Sequence, residues 1–133
     1  MTEPKGRERR LKPRFSATLP CAVELPDEAR DILFPGERMQ CRTRDLSESG
    51  VGLVAPSIYV GYACVVDEGR ALKLTIELPD GPVVLGTTAA HYLRAGGGET
   101  DGYLIGMRIT SASDEHRARY VAYLETLNAA EQG

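Results

Sequence analysis

The stretch Ala71-Leu72-Lys73-Leu74-Thr75-Ile76-Glu77-Leu78 has the cleanest alternation in the chain. Leu72, Leu74, Ile76 and Leu78 face one way, and Ala71, Lys73, Thr75 and Glu77 face the other. A period of two predicts a strand with one buried face. Pro79-Asp80-Gly81-Pro82 then carries the residues of a tight turn. Val83–Arg94 continues as a long strand. Two strands joined by so short a connection must run antiparallel.

Downstream, Gly96-Gly97-Gly98 and the polar residues to Asp101 predict the next turn. Gly102–Thr110 reads as another strand, with Tyr103, Ile105, Met107 and Ile109 on its inner face. The strand pattern stops at Ser111. From about Ser113 to Asn128 the spacing predicts one helix, with Tyr120, Val121, Leu124 and Leu127 as its apolar stripe. Ser111 or Ser113 can cap it, and Asp114 and Glu115 suit its positive end. Residues 129–133 are expected to fray.

Upstream, residues 1–14 are polar and basic and are expected to form a flexible arm. Order begins near Phe15. Ala17–Leu25 is strand-like, and Pro20 puts its start at an edge. Pro26–Glu37 reads as a connection in which Ile32, Leu33 and Phe34 pack down before a Pro35-Gly36 turn. Arg38–Leu46 alternates, with Met39, Cys41, Thr43 and Asp45 on one side and Arg38, Gln40, Arg42 and Arg44 on the other. A Ser47-Glu48-Ser49-Gly50 turn leads into a short apolar strand, Val51–Ala55. Pro56–Gly69 contains Ile58, Tyr59, Val60, Tyr62, Val65 and Val66, too apolar for a solvated loop. It is expected to make an extra turn or strand-like excursion packed on the body.

About six strands in succession and then one helix exclude a βαβ parallel sheet. The chain reads as all-β with a C-terminal helix. A small antiparallel barrel is expected, because closure removes unpaired strand edges, and the helix would cover an open end or side of it. The division is a basic arm (1–14), a barrel plus helix (15–128) and a frayed tail (129–133).

Composition narrows the function. The chain has 133 residues, 42% of them hydrophobic and 26% charged, which suits one globular domain. The net charge is −3. Six basic and two acidic residues within 1–14 give the arm +4 and leave −7 on the rest. A basic arm on an acidic body points to one local anionic partner, not to a nucleic-acid polymer. Cys21, Cys41 and Cys64 are odd in number and widely spaced, with no CxxC, so neither a disulfide framework nor a zinc site is expected. Each thiol is expected to sit as a small apolar residue in a reducing compartment. The charged N-terminus lacks the apolar run of a secretory signal, and no stretch is long and apolar enough to insert in a membrane. The expected location is cytoplasmic.

Several motifs fall away on physical grounds. Gly50-Val51-Gly52-Leu53-Val54-Ala55 formally matches GxGxxG/A, but it lies along an apolar strand and runs into Pro56. A dinucleotide site needs a helix to open there. Ser47 is not in GxSxG, and only His91 and His116 could serve as imidazole bases. Neither histidine has a triad-like or ligand-like neighbour in sequence, so both are read as structural or exposed. No cluster has metal-ligand spacing, and neither a cofactor nor catalysis is expected.

Two features remain. Arg10-Leu11-Lys12-Pro13-Arg14 is an RxxxR in the arm, and Pro13 places it on a loop. Asp45-Leu46-Ser47-Glu48-Ser49-Gly50 is a DxSxxG at a strand end. Each alone could be a solvated arm or an ordinary turn. Their combination, followed by four more strand signals, resembles the PilZ domain. Leu78-Pro79-Asp80-Gly81, the strand Tyr103-Leu104-Ile105-Gly106-Met107-Arg108-Ile109 and the helix Asp114–Leu127 extend the resemblance over roughly residues 9–127.

The resemblance implies a six-stranded antiparallel PilZ-like β-barrel that binds cyclic diguanylate (cyclic di-GMP, c-di-GMP), a bacterial second messenger. It implies a receptor, not a catalyst. By position Arg10 and Arg14 are the loop arginines, Asp45, Ser47 and Gly50 are the barrel-side motif, and Arg9 lies close to the ligand. The residue types suit that ligand. Arginine presents a planar fork to phosphate oxygens, stacks on bases and can pair with guanine O6 and N7. Asp45 can accept from the N1/N2 edge of guanine, Ser47 can donate or accept, and Gly50 allows close approach. The ligand would bridge arm and barrel, order the arm and so change a surface offered to a separate downstream protein.

Three features depart from the family pattern: the long Pro56–Gly69 stretch, Ser49 where glycine is common, and Pro13 within RxxxR. The alternative reading is a PilZ-like protein–protein adaptor that does not bind the nucleotide. The intact arginines and Asp45, Ser47 and Gly50 argue against it. A barrel for single-stranded nucleic acid is disfavoured by the acidic body and by two Phe and no Trp for stacking. A hydrolase using Ser47 lacks a base.

Overall fold

The computed structural model describes residues 13–26, 37–61, 63–95 and 102–132. Among them the order is β1 (Phe15–Ser16), β2 (Pro20–Glu24), β3 (Arg38–Leu46), β4 (Gly50–Ala55), β5 (Tyr59–Val60), β6 (Ala63–Cys64), β7 (Leu72–Leu78), β8 (Gly81–Ala95), β9 (Gly102–Ser111) and one helix, α1 (Asp114–Gln132). The packing expected of Ile32, Leu33 and Phe34 and the turn at 96–101 lie outside the described residues.

The alternation at 72–78 forms β7, and all four apolar members are buried. Pro79 and Asp80 make a two-residue connection, with Leu78 opposite Gly81. Gly81 has φ of 125°, a conformation that L side chains resist. The ladder then closes on itself. β3 pairs with β2, β2 with β7, β7 with β8, β8 with β9, β9 with β4, and β4 with β3. The result is a six-stranded antiparallel barrel, with β1 laid on the end of β3. Closure leaves none of the six with an unpaired side.

The barrel interior is filled by the inward member of each alternation. Leu46, Val51, Leu74, Ile76 and Val83 are all fully buried. The apolar excursion after Pro56 is the hairpin β5–β6, which buries Val60, Ala63 and Val65. It is a strand-like excursion packed on the core, as its composition requires.

Ser113 caps α1 by accepting the His116 amide on Oγ at 3.1 Å. Tyr120 and Leu124 are the most deeply buried residues of the apolar stripe, and the helix lies on β8 and β1. His116 clips it to the barrel by accepting the Val84 amide on Nδ1 at 3.0 Å. The helix runs to Gln132, beyond Asn128. Ala129, Ala130, Glu131 and Gln132 are all good helix formers, with no Gly or Pro among them.

One face assignment is corrected. Alternation puts Asp45 on the side of Met39, Cys41 and Thr43. The β3–β4 register instead slips between Thr43↔Leu53 and Asp45↔Gly52, which makes Arg44 an extra residue. A bulge of this kind re-aims the side chains beyond it. Leu46 therefore returns to the core, at 0% exposure, and Asp45 turns to the outer surface.

Candidate functional site

The bulge at Arg44 has a counterpart. The β8–β9 register slips between Ala89↔Met107 and His91↔Gly106, so Ala90 is extra. The two slips bracket one row across four strands: Asp45, Gly52, Gly106 and His91. The two middle residues have no side chains, and the two flanking ones lean over them. A Cβ on Gly52 would come within 2.5 Å of Asp45 Oδ1, and one on Gly106 would overlap the His91 ring. The next row adds Leu93 opposite Leu104.

These residues outline a hollow of about 160 Å³, floored by Gly52 and Gly106 and walled by Arg14, Arg44, His91, Leu93 and Leu104. Asp45 stands at its edge between two cations. Arg14 Nη2 donates to Asp45 Oδ1 at 3.1 Å, and Arg44 Nε donates to Oδ2 at 3.4 Å. The Asp45 side chain is 16% exposed, against 48% for Arg14 and 57% for Arg44. Two guanidiniums against one carboxylate leave a local positive surplus, and their forks remain largely open to solvent. A flat floor, an aromatic ring and planar cations can stack a base, and the surplus charge suits an anion.

The turn after Asp45 is built for rigidity. Ser47 Oγ accepts the Gly50 amide at 3.1 Å, and the Ser47 amide donates to the Gly50 carbonyl at 2.9 Å. The Ser49 carbonyl accepts the Ile109 amide at 2.9 Å, tying the turn to β9. From inside, the Tyr120 hydroxyl of α1 donates to the Ser47 carbonyl at 2.7 Å. Burial pushes the Tyr120 hydroxyl well above the ordinary phenol range, so it stays a donor. Ser47 itself is 1% exposed, and its hydroxyl is engaged with Gly50. Gly50 is also buried, and a Cβ there would lie 2.8 Å from the Met107 carbonyl oxygen.

Of the residues singled out in sequence, Arg14 and Asp45 meet directly. Ser47 and Gly50 are the buried ends of the turn beside them. Arg9 and Arg10 lie outside the described residues. Sequence reasoning gives no ligand-binding role to Arg44, Gly52, His91 or Gly106. The pair Gly52 and Gly106 was visible only as glycines within strands, a sign that something approaches the backbone closely. His91 carried no local signal, because its position depends on the bulge at Ala90. His116 lies away from this row and holds α1 to β8 through the Val84 amide. Among the described residues no His, Cys, Asp and Glu grouping could hold a metal ion. None of their helices is long and apolar enough to cross a membrane.

The architecture recurs in solved structures. The PilZ domain of Escherichia coli YcgR, solved with c-di-GMP, superposes with a TM-score of 0.63 at 16% identity, covering 93% of this chain and 95% of that one. The K. pneumonia MrkH–c-di-GMP complex gives a TM-score of 0.68 at 14% identity, covering 100% of this chain and 57% of that one. Bacillus subtilis MotI/DgrA, an inhibitor of motility, gives 0.67 at 11% identity, covering 100% of this chain and 55% of that one. The chain thus spans little more than half the length of MrkH and MotI. At such identities the likeness establishes the fold. No curated protein matches in sequence. The family itself is established by the sequence model of the PilZ domain, which matches residues 8–126 and so takes in the closed barrel, the Asp45–Gly50 turn and most of α1: the chain belongs to the PilZ domain family.

Proposed function

We propose that this PilZ domain is a non-catalytic receptor for cyclic diguanylate, held by Arg10 and Arg14, with Arg9 beside them, and by Asp45 and the Ser47–Gly50 turn. PilZ domains typically bind this ligand and are generally non-catalytic. The observation that carries the reading is the ion pair of Arg14 with Asp45 at the edge of the two-glycine hollow. It joins the one described arginine of RxxxR to the first residue of DxSxxG, at a surface suited to a flat anionic ligand. The YcgR PilZ domain and MrkH were solved with c-di-GMP and share the fold, which supports the same ligand class here.

The division of labour follows from burial. Asp45 accepts from the donor edge of a guanine, and the arginines take phosphate oxygens or stack on a base. His91 and Arg44 wall the hollow, where a second planar group can lie over Gly52 and Gly106. Ser47 and Gly50 hold the turn that sets the direction of Asp45. Charge-assisted hydrogen bonds of about 1.5–3 kcal/mol each offset roughly 1–2 kcal/mol per backbone residue fixed in the arm. Pro13 and Phe15 line a groove with Glu48, Val121 and Leu124. An arm drawn to the ligand therefore alters the surface beside α1 that a downstream protein would meet.

Isothermal titration with cyclic diguanylate tests this, on the wild type, Arg10→Ala and Asp45→Ala. Saturable heat lost in both variants is expected. A folded wild type that gives no heat with ligand in excess overturns the receptor reading and leaves the adaptor that binds only protein.

A further inference from the structure

Away from this site, the β2–β3 ladder sets two cysteines directly opposite one another. Cys21 pairs with Cys41, and their sulfurs are 3.5 Å apart. All three cysteines are free thiols, and Cys64 lies on the separate β5–β6 hairpin. Directly opposed residues of an antiparallel pair have Cα atoms about 4.5–5.5 Å apart, within the roughly 4.4–6.8 Å that a disulfide spans. Side-chain rotation can close the remaining sulfur gap without a change of strand register.

The two thiols are not equivalent. Cys21 is 2% exposed and packs in the core. Cys41 is half-buried and opens on a hollow lined by Thr18, Leu19, Pro20, Gln40 and Arg42. The arrangement is a short relay: the Cys21 thiol can donate to Cys41, and the Cys41 thiol to the Met39 carbonyl at 3.8 Å. The hydrogen bond from Cys21 lowers the pKa of the Cys41 thiol, against the opposing effect of its burial. Donation to Cys41, and then burial, hold the Cys21 thiol protonated. One sulfur is thus poised and reachable, and a second is protected within reach of it.

We propose that Cys21 and Cys41 form a redox-reactive dithiol, a reversible modification site in which hydrogen peroxide oxidises Cys41 first and Cys21 resolves the product as a disulfide. The Cys41 thiolate attacks one peroxide oxygen, so that an S–O bond forms and the O–O bond breaks. The departing hydroxide takes up a proton and leaves as water. The Cys21 sulfur then attacks the Cys41 sulfur, the S–S bond forms and the S–O bond breaks. The hydroxyl leaves as a second water with the Cys21 proton. Two thiols are oxidised and one peroxide is reduced to two waters. A reducing dithiol returns the pair to the starting state by exchange. The bond would join β2 to β3 upstream of the bulge that directs Asp45.

The test treats the full reduced chain with equimolar hydrogen peroxide, removes the peroxide, and then labels with N-ethylmaleimide in denaturant, followed by intact mass and peptide mapping without reduction. The expected product has lost the mass of two hydrogens and takes up one maleimide in place of three, on Cys64. The map should link the Cys21 and Cys41 peptides, and dithiothreitol should restore three free thiols. Cys21→Ser should leave a sulfenic acid on Cys41 that dimedone captures, and Cys41→Ser should leave Cys21 unreacted. Three maleimides after peroxide, a link through Cys64, or over-oxidation without a link overturns the proposal. The link is read in the wild type, so a variant that fails to fold does not remove the test.

Discussion

Gly52→Ala separates what the strand needs from what the site needs. Gly52 lies within β4, where glycine ordinarily costs about 0.5–1 kcal/mol relative to alanine. On backbone grounds alone the substitution should stabilise by that amount. The new Cβ, however, would sit 2.5 Å from Asp45 Oδ1 and 3.2 Å from Asp45 Cγ. A carboxylate at the end of a short side chain can swing aside, so the cost falls on its position rather than on the strand. The exposed ion pairs to Arg14 and Arg44 are worth about 0.2–1 kcal/mol each, so their weakening roughly cancels the backbone gain. The melting temperature should therefore stay within a few degrees of wild type, at about 3–5 °C per kcal/mol for a domain of this size. Affinity for cyclic diguanylate should behave differently. Loss of one hydrogen bond to a charged group, about 1.5–3 kcal/mol, weakens binding roughly 10- to 150-fold. Titration calorimetry and thermal denaturation on the same preparation read both quantities. A Gly52→Ala protein that binds within about twofold of a binding wild type would show that the glycine floor does not govern Asp45. A collapse in melting temperature would show that the conflict lies with the fold.

Other substitutions divide along the same line. Gly50→Ala sets its Cβ 2.8 Å from a backbone carbonyl oxygen that cannot swing away, so a stability loss of about 1–3 kcal/mol is expected in urea denaturation. Tyr120→Phe removes the donor to the Ser47 carbonyl and should cost about 1–2 kcal/mol, and an unchanged urea midpoint would show that the bond to the turn contributes nothing net. Leu124→Ala empties a 4% exposed position under α1 and should cost about 2–5 kcal/mol, read the same way. His91→Ala alters an outer-surface residue and should leave stability unchanged, while the loss of base stacking, about 1–3 kcal/mol, weakens the ligand measurably in calorimetry.

The legibility of this fold is uneven, and the reasons are local. β7 and its turn into β8 were readable because one face is buried and the period of two is written directly in Leu72, Leu74, Ile76 and Leu78. The helix was readable for the matching reason at its own period, although only packing selects Tyr120 and Leu124 as the buried members. The end of β3 is not legible in this way. Alternation carries Asp45 to the side of Met39, Cys41 and Thr43, but the extra residue Arg44 breaks the period. A bulge depends on the register with the partner strand and leaves no mark in a single strand's pattern. The same holds for Ala90 and His91. In sequence each thiol reads as a separate small apolar residue, because residues 21 and 41 are opposed only through the register of β2 on β3.

Most of the strands, the helix, the antiparallel connections, the family and the paired motifs at Arg10–Arg14 and Asp45–Gly50 are legible in the chain alone. Each of these is encoded in neighbouring residues, whose period, turn chemistry and spacing act over a few positions. Closure of the barrel through β3 and β4, the outward direction of Asp45, and the place of Gly52 and Gly106 between it and His91 emerge from the assembled fold. Those outcomes depend on cross-strand register. Register is settled by the simultaneous burial of every inward face, and no single segment contains that information.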